Sequence, residues 1–562
     1  MNEINDKVRH RCPARVEGET VLSRRSLLKK AVAVTGSALV AGSLSEVAGA
    51  AATKANKPMA GMNIVVFMTD QERAIQHFPP DWDRRNLPGL MRLRRHGLTF
   101  ENAFTNASMC SPSRATLFTG NFPAQHGVKY TIEESMPDDQ YPQVELAPTF
   151  ANLASVMSAA GYTVVYKGKW HLSKPAGSEF APSDLTPYGF SRWNSPDAGA
   201  NQNIDQDGGG TVNNDCRFMN GQGDFASGQE GVLQYLSSAA AQQQPFFLVI
   251  SLVNPHDVLL YPKSYTAGGY DDSWLDGEIE LPETVDEDLS TKPVVQREFV
   301  RLMNLTGKLD TPQLQRAYVN FYANLMKVAD GYLGTVLDAL QKQHLLDNTL
   351  VIRTADHGEM GMAHGGMRQK SFNVYEETIR VPLVYSNPKL WKQPASSQAL
   401  VSHVDFLPTL ASLAGAPWSA RGGWQGVDYS AQILKKGAPA PQDYVVFTSD
   451  DWQAGQAGGL YVTPPQHIVS RRDRRWKIAE YYDADGKIPS QWEMYDLEND
   501  PLERTNLANV GHHRTPAEER EYGRLRSELA TVKATRLRPL ANTPQPLTEG
   551  SRQRIGPVQA TD

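Results

Sequence analysis

The sequence predicts a layered α/β domain with a mostly parallel sheet, joined to a smaller C-terminal antiparallel α+β domain. Five short apolar runs carry the first half of this reading: Ile64–Met68, Thr163–Tyr166, Phe246–Val253, Leu350–Ile352 and Val381–Tyr385. Each is too short for a typical helix, rich in Val, Ile, Phe or Tyr, and continuous instead of alternating, which suits strands buried on both faces. Helical segments lie between them. The clearest opens at Thr311-Pro312, a cap and first-turn pair. It carries Leu314, Ala317, Phe321, Leu325, Val328, then Leu333, Val336, Leu337 and Leu340 at helical spacing. Strands alternating with helices build a parallel sheet. After about residue 430 the pattern changes. Tyr444–Thr448, the segment around Trp476-Lys477-Ile478, and Met494–Leu497 read as strands separated by polar turns, and a charged helix runs from Pro516 to about Thr535.

At 562 residues the chain exceeds one small core. We therefore expect a targeting segment at 1–50, a large domain at 51–430, a smaller one at 431–540 and an extended Pro-, Gln-, Thr- and Gly-rich tail at 541–562. Hydrophobic residues at 40% and charged residues at 21% are ordinary for a globular protein. A formal charge of -6 argues against nucleic acid as a partner, since such binding needs a basic surface. Ser23-Arg24-Arg25-Ser26-Leu27-Leu28-Lys29, the weakly apolar run Ala31 to Gly42, and Ala48-Gly49-Ala50 form a signal-peptide pattern. The paired arginines predict twin-arginine export, hence the export machinery as a partner and a periplasmic or secreted location. No later apolar run approaches the roughly 20 residues that span a bilayer, so no stable membrane anchor is expected. Of three cysteines, Cys12 falls in the leader, which leaves no disulfide framework. Cys216, in Gly- and Asn-rich sequence, reads as an inert core or loop thiol.

The residues after each predicted strand point to one crevice. The first run ends in Asp70, the second leads to Lys169 and His171, the third to Asn254-Pro255-His256, and the fourth to Asp356-His357. In open α/β sheets ligands gather beyond the carboxyl ends of strands. The long insertions Asp197 to Gly228 and Tyr261 to Leu309 are candidates for pocket walls. The segment Asp450 to Gln466, with Trp452 and Tyr461, is a candidate aromatic wall.

Cys110-Ser111-Pro112-Ser113-Arg114 through Thr119-Gly120, continued by Pro123 and His126-Gly127, resembles the defining signature of the sulfatase family. Gly161-Tyr162-Thr163 through Gly168-Lys169-Trp170-His171 is similar to that family's second signature, and Asn254-Pro255-His256 to its mid-chain histidine segment. Lys370, before Tyr375-Glu376-Glu377 and Arg380-Val381-Pro382, matches its later sulfate-binding lysine. Trp492 to Leu497 and Asn499-Asp500-Pro501 to Asn506-Leu507 look like its closing segment. The resemblance implies the alkaline-phosphatase fold and a formylglycine-dependent hydrolase of sulfuric esters, arylsulfatase-like. Cys110 would be oxidised by a formylglycine-generating maturation enzyme. Local chemistry agrees: Ser111-Pro112 can start a helix whose free N–H groups face an anion. Arg114, on the first turn, can donate paired hydrogen bonds to the hydrated aldehyde or its metal-bound oxygen.

The metal expected from the same reading is one divalent ion held by Asp70, Gln71, Cys110, Asp356 and His357. Ca²⁺ comes first, because hard cations take oxygen ligands. Gln71 stands where the commonest pattern has a second aspartate; it either coordinates through its amide oxygen or hydrogen-bonds nearby. With His357 supplying nitrogen, Mn²⁺ and Mg²⁺ are alternatives. The implied roles are Cys110 as nucleophile, Lys169 and Lys370 on the sulfuryl oxygens, His256 protonating the leaving oxygen and His171 removing a proton when sulfate is expelled. His364 and His403 read as structural or rim residues. The substrate is a sulfated small molecule or glycan. Alternatives at the same site are a phosphonate monoester or phosphodiester hydrolase, which the Asp70-Gln71 and Asp356-His357 pairs also resemble, and a non-catalytic exported binding protein.

Overall fold

The computed structural model describes residues 59–543, apart from 135, 137–140, 142, 200–209, 244, 457–459 and 542. The expected targeting segment with Cys12, and the expected tail beyond residue 543, lie outside the described residues. The main sheet has seven strands: β1 Asn63–Asp70, β2 Gly97–Phe104, β3 Thr163–Gly168, β4 Phe246–Pro255, β5 Thr349–Ala355, β6 Leu383–Ser386 and β7 Ala395–Ser402. Their order is β3-β4-β1-β5-β6-β2-β7. β3, β4, β1 and β5 pair in parallel, as do β2 and β7. β6 is antiparallel to both its neighbours.

The five apolar runs are the five strands β1, β3, β4, β5 and β6, and the alternation of their side chains explains why no polar face was visible in the sequence. Ile64, Val66 and Met68 enter one core with Val249, Ile352, Phe118 and Trp170. Val65 and Phe67 enter the other, with Leu248, Ile250 and Val351. The second core is closed by the helix Pro312–Lys342, whose Phe321, Leu325, Leu333, Val336 and Leu337 form the predicted stripe. Thr311 caps it, accepting from the Leu314 N–H at 3.3 Å. β2 (GLTFENAF) and the edge strand β7 (ASSQALVS) carry no continuous apolar run, because each mixes polar residues into the strand.

The smaller sheet is antiparallel, in the order β11-β10-β9-β8. Its strands are β8 Tyr444–Ser449, β9 His467–Asp473, β10 Trp476–Tyr482 and β11 Gln491–Asp496. The helix Pro516–Ala534 lays Leu525 and Leu529 on Val469, Ile478 and Met494. This sheet reaches the main one through Thr448 N–H, which donates to Asn106 O at 2.8 Å, and Asn106 Nδ2, which donates to Val446 O at 2.7 Å. A buried ion-pair cluster adds to the join: Lys477 contacts Glu376 at 3.0 Å and Glu503 at 2.6 Å, and Arg472 contacts Glu376 at 3.1 Å. Trp452 is buried in the cluster with Tyr130 and Leu460, so it cannot serve as an open aromatic wall. Among the described residues no helix is long and apolar enough to cross a membrane.

Two glycines separate packing from propensity. Asp330, on the long helix, accepts from the Gly89 and Leu90 N–H groups at 2.7 Å each and so caps the helix Pro88–Arg95. A Cβ on Gly89 would lie 2.7 Å from the Asp330 carbonyl oxygen, whereas one on Gly334, in the long helix, meets nothing within 4 Å. Gly334→Ala should stabilise the protein by about 0.5–1 kcal/mol, the helix-propensity gain. Gly89→Ala should destabilise it by about 1–3 kcal/mol, as overpacking does; urea midpoints of the two variants check both signs.

Candidate active site

The helix Cys110–Thr119 begins at the crevice, directly after Met109, whose φ of 70° turns the chain sharply into it. Its first N–H groups have no carbonyl partner within the helix, as at any helix start. Ser113 Oγ fixes the first turn by donating to Asp356 O at 2.5 Å. Gly120, left-handed at φ 65°, ends the helix. Cys110 is 2% exposed.

Around its sulfur stand the ends of β1 and β5. Cys110 Sγ lies 3.6 Å from Asp70 Oδ1 and 3.3 Å from His357 Nε2, and Lys169 Nζ is 3.6 Å away. Asp70 Oδ1 and Asp356 Oδ1 are each 3.7 Å from His357 Nε2. Ligand atoms of Asp70, Cys110, Asp356 and His357 all fall within 4.8 Å of one another. His357 Nδ1 faces Gly358 O at 3.0 Å and must donate there, which leaves the Nε2 lone pair turned toward the group. The donor set of two carboxylates, one imidazole nitrogen and residue 110 fits a divalent cation.

Arg114 holds both carboxylates. Nε donates to Asp356 Oδ2 and Nη2 to Asp70 Oδ2, both at 2.9 Å. Nη1 donates to Lys169 O at 2.9 Å and Ser251 Oγ at 2.8 Å. Four of its five N–H donors go to the two carboxylates, the Lys169 carbonyl and the Ser251 hydroxyl, so Arg114 positions Asp70 and Asp356. Gln71 is held by hydrogen bonds of its own. Its Oε1 accepts from Lys370 Nζ at 2.5 Å, its Nε2 donates to Glu359 Oε2 at 2.5 Å, and its backbone N–H donates to Asp356 Oδ1 at 3.0 Å. The amide thus bridges Lys370 to Glu359.

Lys169 Nζ pairs with Asp70 Oδ2 at 2.7 Å. Two residues on, His171 donates from Nε2 to Ile132 O at 2.8 Å, and its buried Nδ1 has no hydrogen-bond partner among the described residues. The tautomer so fixed leaves Nδ1 as a lone pair, and the ring interacts with the Cys110 thiol. Asp197, which the sequence showed only as the start of an insertion, holds this turn by accepting from the Trp170 and His171 N–H groups at 2.9 and 2.8 Å. Gly199 lies against the imidazole, where a Cβ would come within 2.4 Å of His171 Cγ. His256 opens the turn after β4. Burial, with Lys370 and Lys169 nearby, pushes its imidazole down to about 4.

Burial alone would raise the Cys110 thiol, but Lys169 and Lys370 carry it well below the ordinary thiol value. Burial and the charge of Asp70 push Asp356 up to about 6. Asp70 is also buried, yet Lys169, His256 and Arg114 hold it well below the usual carboxylate range. His364 and His403 stand apart from this group. His364 stacks on Tyr375 and contacts Glu287 at 2.7 Å, and His403 Nδ1 lies 3.3 Å from Ser113 Oγ. Cys216 is buried on the helix Asn214–Asn220.

Residues 62–416 match the sulfatase family model, and residues 364–529 match the model of the N-sulphoglucosamine sulphohydrolase C-terminal region. The chain is 28% identical over 419 residues to the Delta 4,5-hexuronate-2-O-sulfatase of Bacteroides thetaiotaomicron, covering 73% of this chain and 77% of that one. It is 26% identical over 463 residues to arylsulfatase K of Canis lupus familiaris, covering 79% of each. The solved structure of a 2-O GAG sulfatase shares the fold at a TM-score of 0.62 and 20% identity, over 85% of this chain and 92% of that one. The chain therefore belongs to the sulfatase family, within the alkaline-phosphatase superfamily, and is a hydrolase of that family.

Proposed function

We propose that the protein hydrolyses a sulfate monoester through residue 110, oxidised from cysteine to formylglycine, beside one divalent metal. The observation that carries this reading is the convergence of Cys110 with Asp70, Asp356 and His357 at the start of a helix. As a hydrated aldehyde, residue 110 offers one hydroxyl to attack sulfur and a second whose deprotonation later expels sulfate. When bound, the metal lowers the pKa of the attacking hydroxyl and offsets charge on the sulfuryl oxygens. Asp70, Asp356, His357 and residue 110 are the residues that would hold it, with Gln71 beside them; Ca²⁺ is the first choice, and Mn²⁺ or Mg²⁺ is compatible with the nitrogen ligand.

The chain's own groups divide the remaining work. Lys169 and Lys370 bring positive charge to the ester, while Gln71 and Asp70 orient their ammonium groups. His256 is neutral in the free site, at about 4. An anionic ester beside it favours the imidazolium, which can then protonate the leaving oxygen. His171 Nδ1 is the base for the second hydroxyl, its tautomer supported by the bond to Ile132 O. We assign residues 51–430 to the catalytic domain and 431–540 to a smaller domain. The substrate is a sulfated small molecule or glycan, and the leader pattern supports export by the twin-arginine route. A separate enzyme carries out the oxidation at residue 110.

Three measurements test this. Mass spectrometry of the tryptic peptide containing residue 110, from the native host, should give the aldehyde or its hydrate; an unmodified thiol throughout would rule the mechanism out. On a sulfate ester and a phosphodiester with the same leaving group, kcat/KM should be higher for the sulfate, and the reverse ranking would assign the site to phosphorus chemistry. His256→Ala should lower kcat by about 10²–10⁴ on alkyl sulfates, the usual worth of a general acid, and far less on aryl sulfates with activated leaving groups. An equal loss on both would remove His256 from the acid role.

A further inference from the structure

We propose, building on the sulfatase reading above, that Glu133 and Asp451 form the leaving-group end of the site and select an alcohol that carries a protonated amine. Both residues lie on short runs of chain tied to the nucleophile helix. Ser108, two residues before Cys110, donates from Oγ to Ser449 Oγ at 3.1 Å, and Asp451 follows two residues later. Asp451 Oδ2 accepts from Thr131 N–H and Oγ1, both at 2.8 Å. Ile132 N–H then donates to Ser111 Oγ at 3.1 Å, and Ile132 O accepts from His171 at 2.8 Å. Glu133 comes next, its N–H bonded to Gln143 Oε1 at 2.8 Å. The strap 131–133 is thus tied to the nucleophile helix, to His171 and to the segment after β8.

Backbone and anchoring groups are satisfied along this strap, but carboxylate oxygens are left over. Asp451 is 2% exposed, and its buried Oδ1 has no hydrogen-bond partner among the described residues. The hydrogen bonds of Glu133 run through its backbone to Gln143 and Met136, and among the described residues none involves its carboxylate. Nearby Lys169 is already paired with Asp70. Burial, with Asp451 and Cys110 adding to it, pushes Glu133 up to about 7, and Asp451, also buried, up to about 6. Two desolvated acids short of a cation attract a ligand ammonium, and the same pair repels a carboxylate.

Tyramine O-sulfate, 4-ethylphenyl sulfate and 3-(4-sulfooxyphenyl)propanoate carry an ammonium, a methyl and a carboxylate on one para-alkylphenol scaffold. With the matured enzyme, kcat/KM should be roughly tenfold higher for the ammonium ester than for the neutral one and roughly tenfold lower for the carboxylate. Glu133→Gln should cut the ammonium-to-neutral ratio by about fivefold or more. A wild-type ratio near one, or a ratio that Glu133→Gln leaves unchanged, overturns the proposal. Turnover of none of the three esters would instead count against the sulfatase reading. Calorimetry with tyramine and 4-ethylphenol then still reads the subsite: tighter tyramine binding that Glu133→Gln removes supports it, and equal binding overturns it.

Discussion

Arg114 joins three separated pieces of chain, and the geometry of the whole site follows from it. Its guanidinium lies between Asp70 at the end of β1 and Asp356 just after β5, and it belongs to the helix that Cys110 begins. All three side chains are fully buried. Breaking such a pair by removing one partner leaves an uncompensated buried charge, typically about 3–5 kcal/mol. The arrangement also divides the carboxylate oxygens. Each Oδ2 is held by Arg114, and each Oδ1 is left facing His357 Nε2. Lys169 on Asp70 adds a second positive charge, so two carboxylates and two cations balance in the dry interior.

The strand ends deliver their residues through sharp turns. Gln71, Met109, His171 and Gln369 all have positive φ, between 59° and 70°, and none is glycine. Each neighbours or belongs to the site: Gln71 follows Asp70, Met109 precedes Cys110, Gln369 precedes Lys370, and His171 is itself a site residue. Such conformations cost about 1–3 kcal/mol each and persist where the surroundings over-determine them. Here the surroundings are two apolar cores on opposite faces of the main sheet, with β1, β4 and β5 contributing to both.

What could be read in the sequence was what local pattern encodes. β1, β3, β4, β5 and β6 announce themselves as continuous apolar runs, and the long helix by its stripe and its Thr311 cap. β2, β7 and β9 do not, since GLTFENAF, ASSQALVS and HIVSRRD carry polar residues that only their neighbours in the fold accommodate. The reversed direction of β6 has no local signal at all. In the site, the residues at strand ends were legible as a group because chemistry and position coincided. The partners were not: Arg114 on Asp70 and Asp356, Gln71 between Lys370 and Glu359, and Asp197 beneath His171 depend on residues brought together from far along the chain. Trp452 shows the converse, an aromatic residue that composition placed on a wall and packing placed in a core.

The near-complete burial of Cys110 sets an order of events in the life of the molecule. A side chain this buried, enclosed by the ends of two strands and a salt-bridged lysine, is closed to anything the size of a protein. Under the proposed oxidation, the enzyme that alters residue 110 would meet it while this stretch is still an unfolded peptide. Export of an already folded chain, as proposed, would then come after that encounter, and a chain that folded first would keep its thiol.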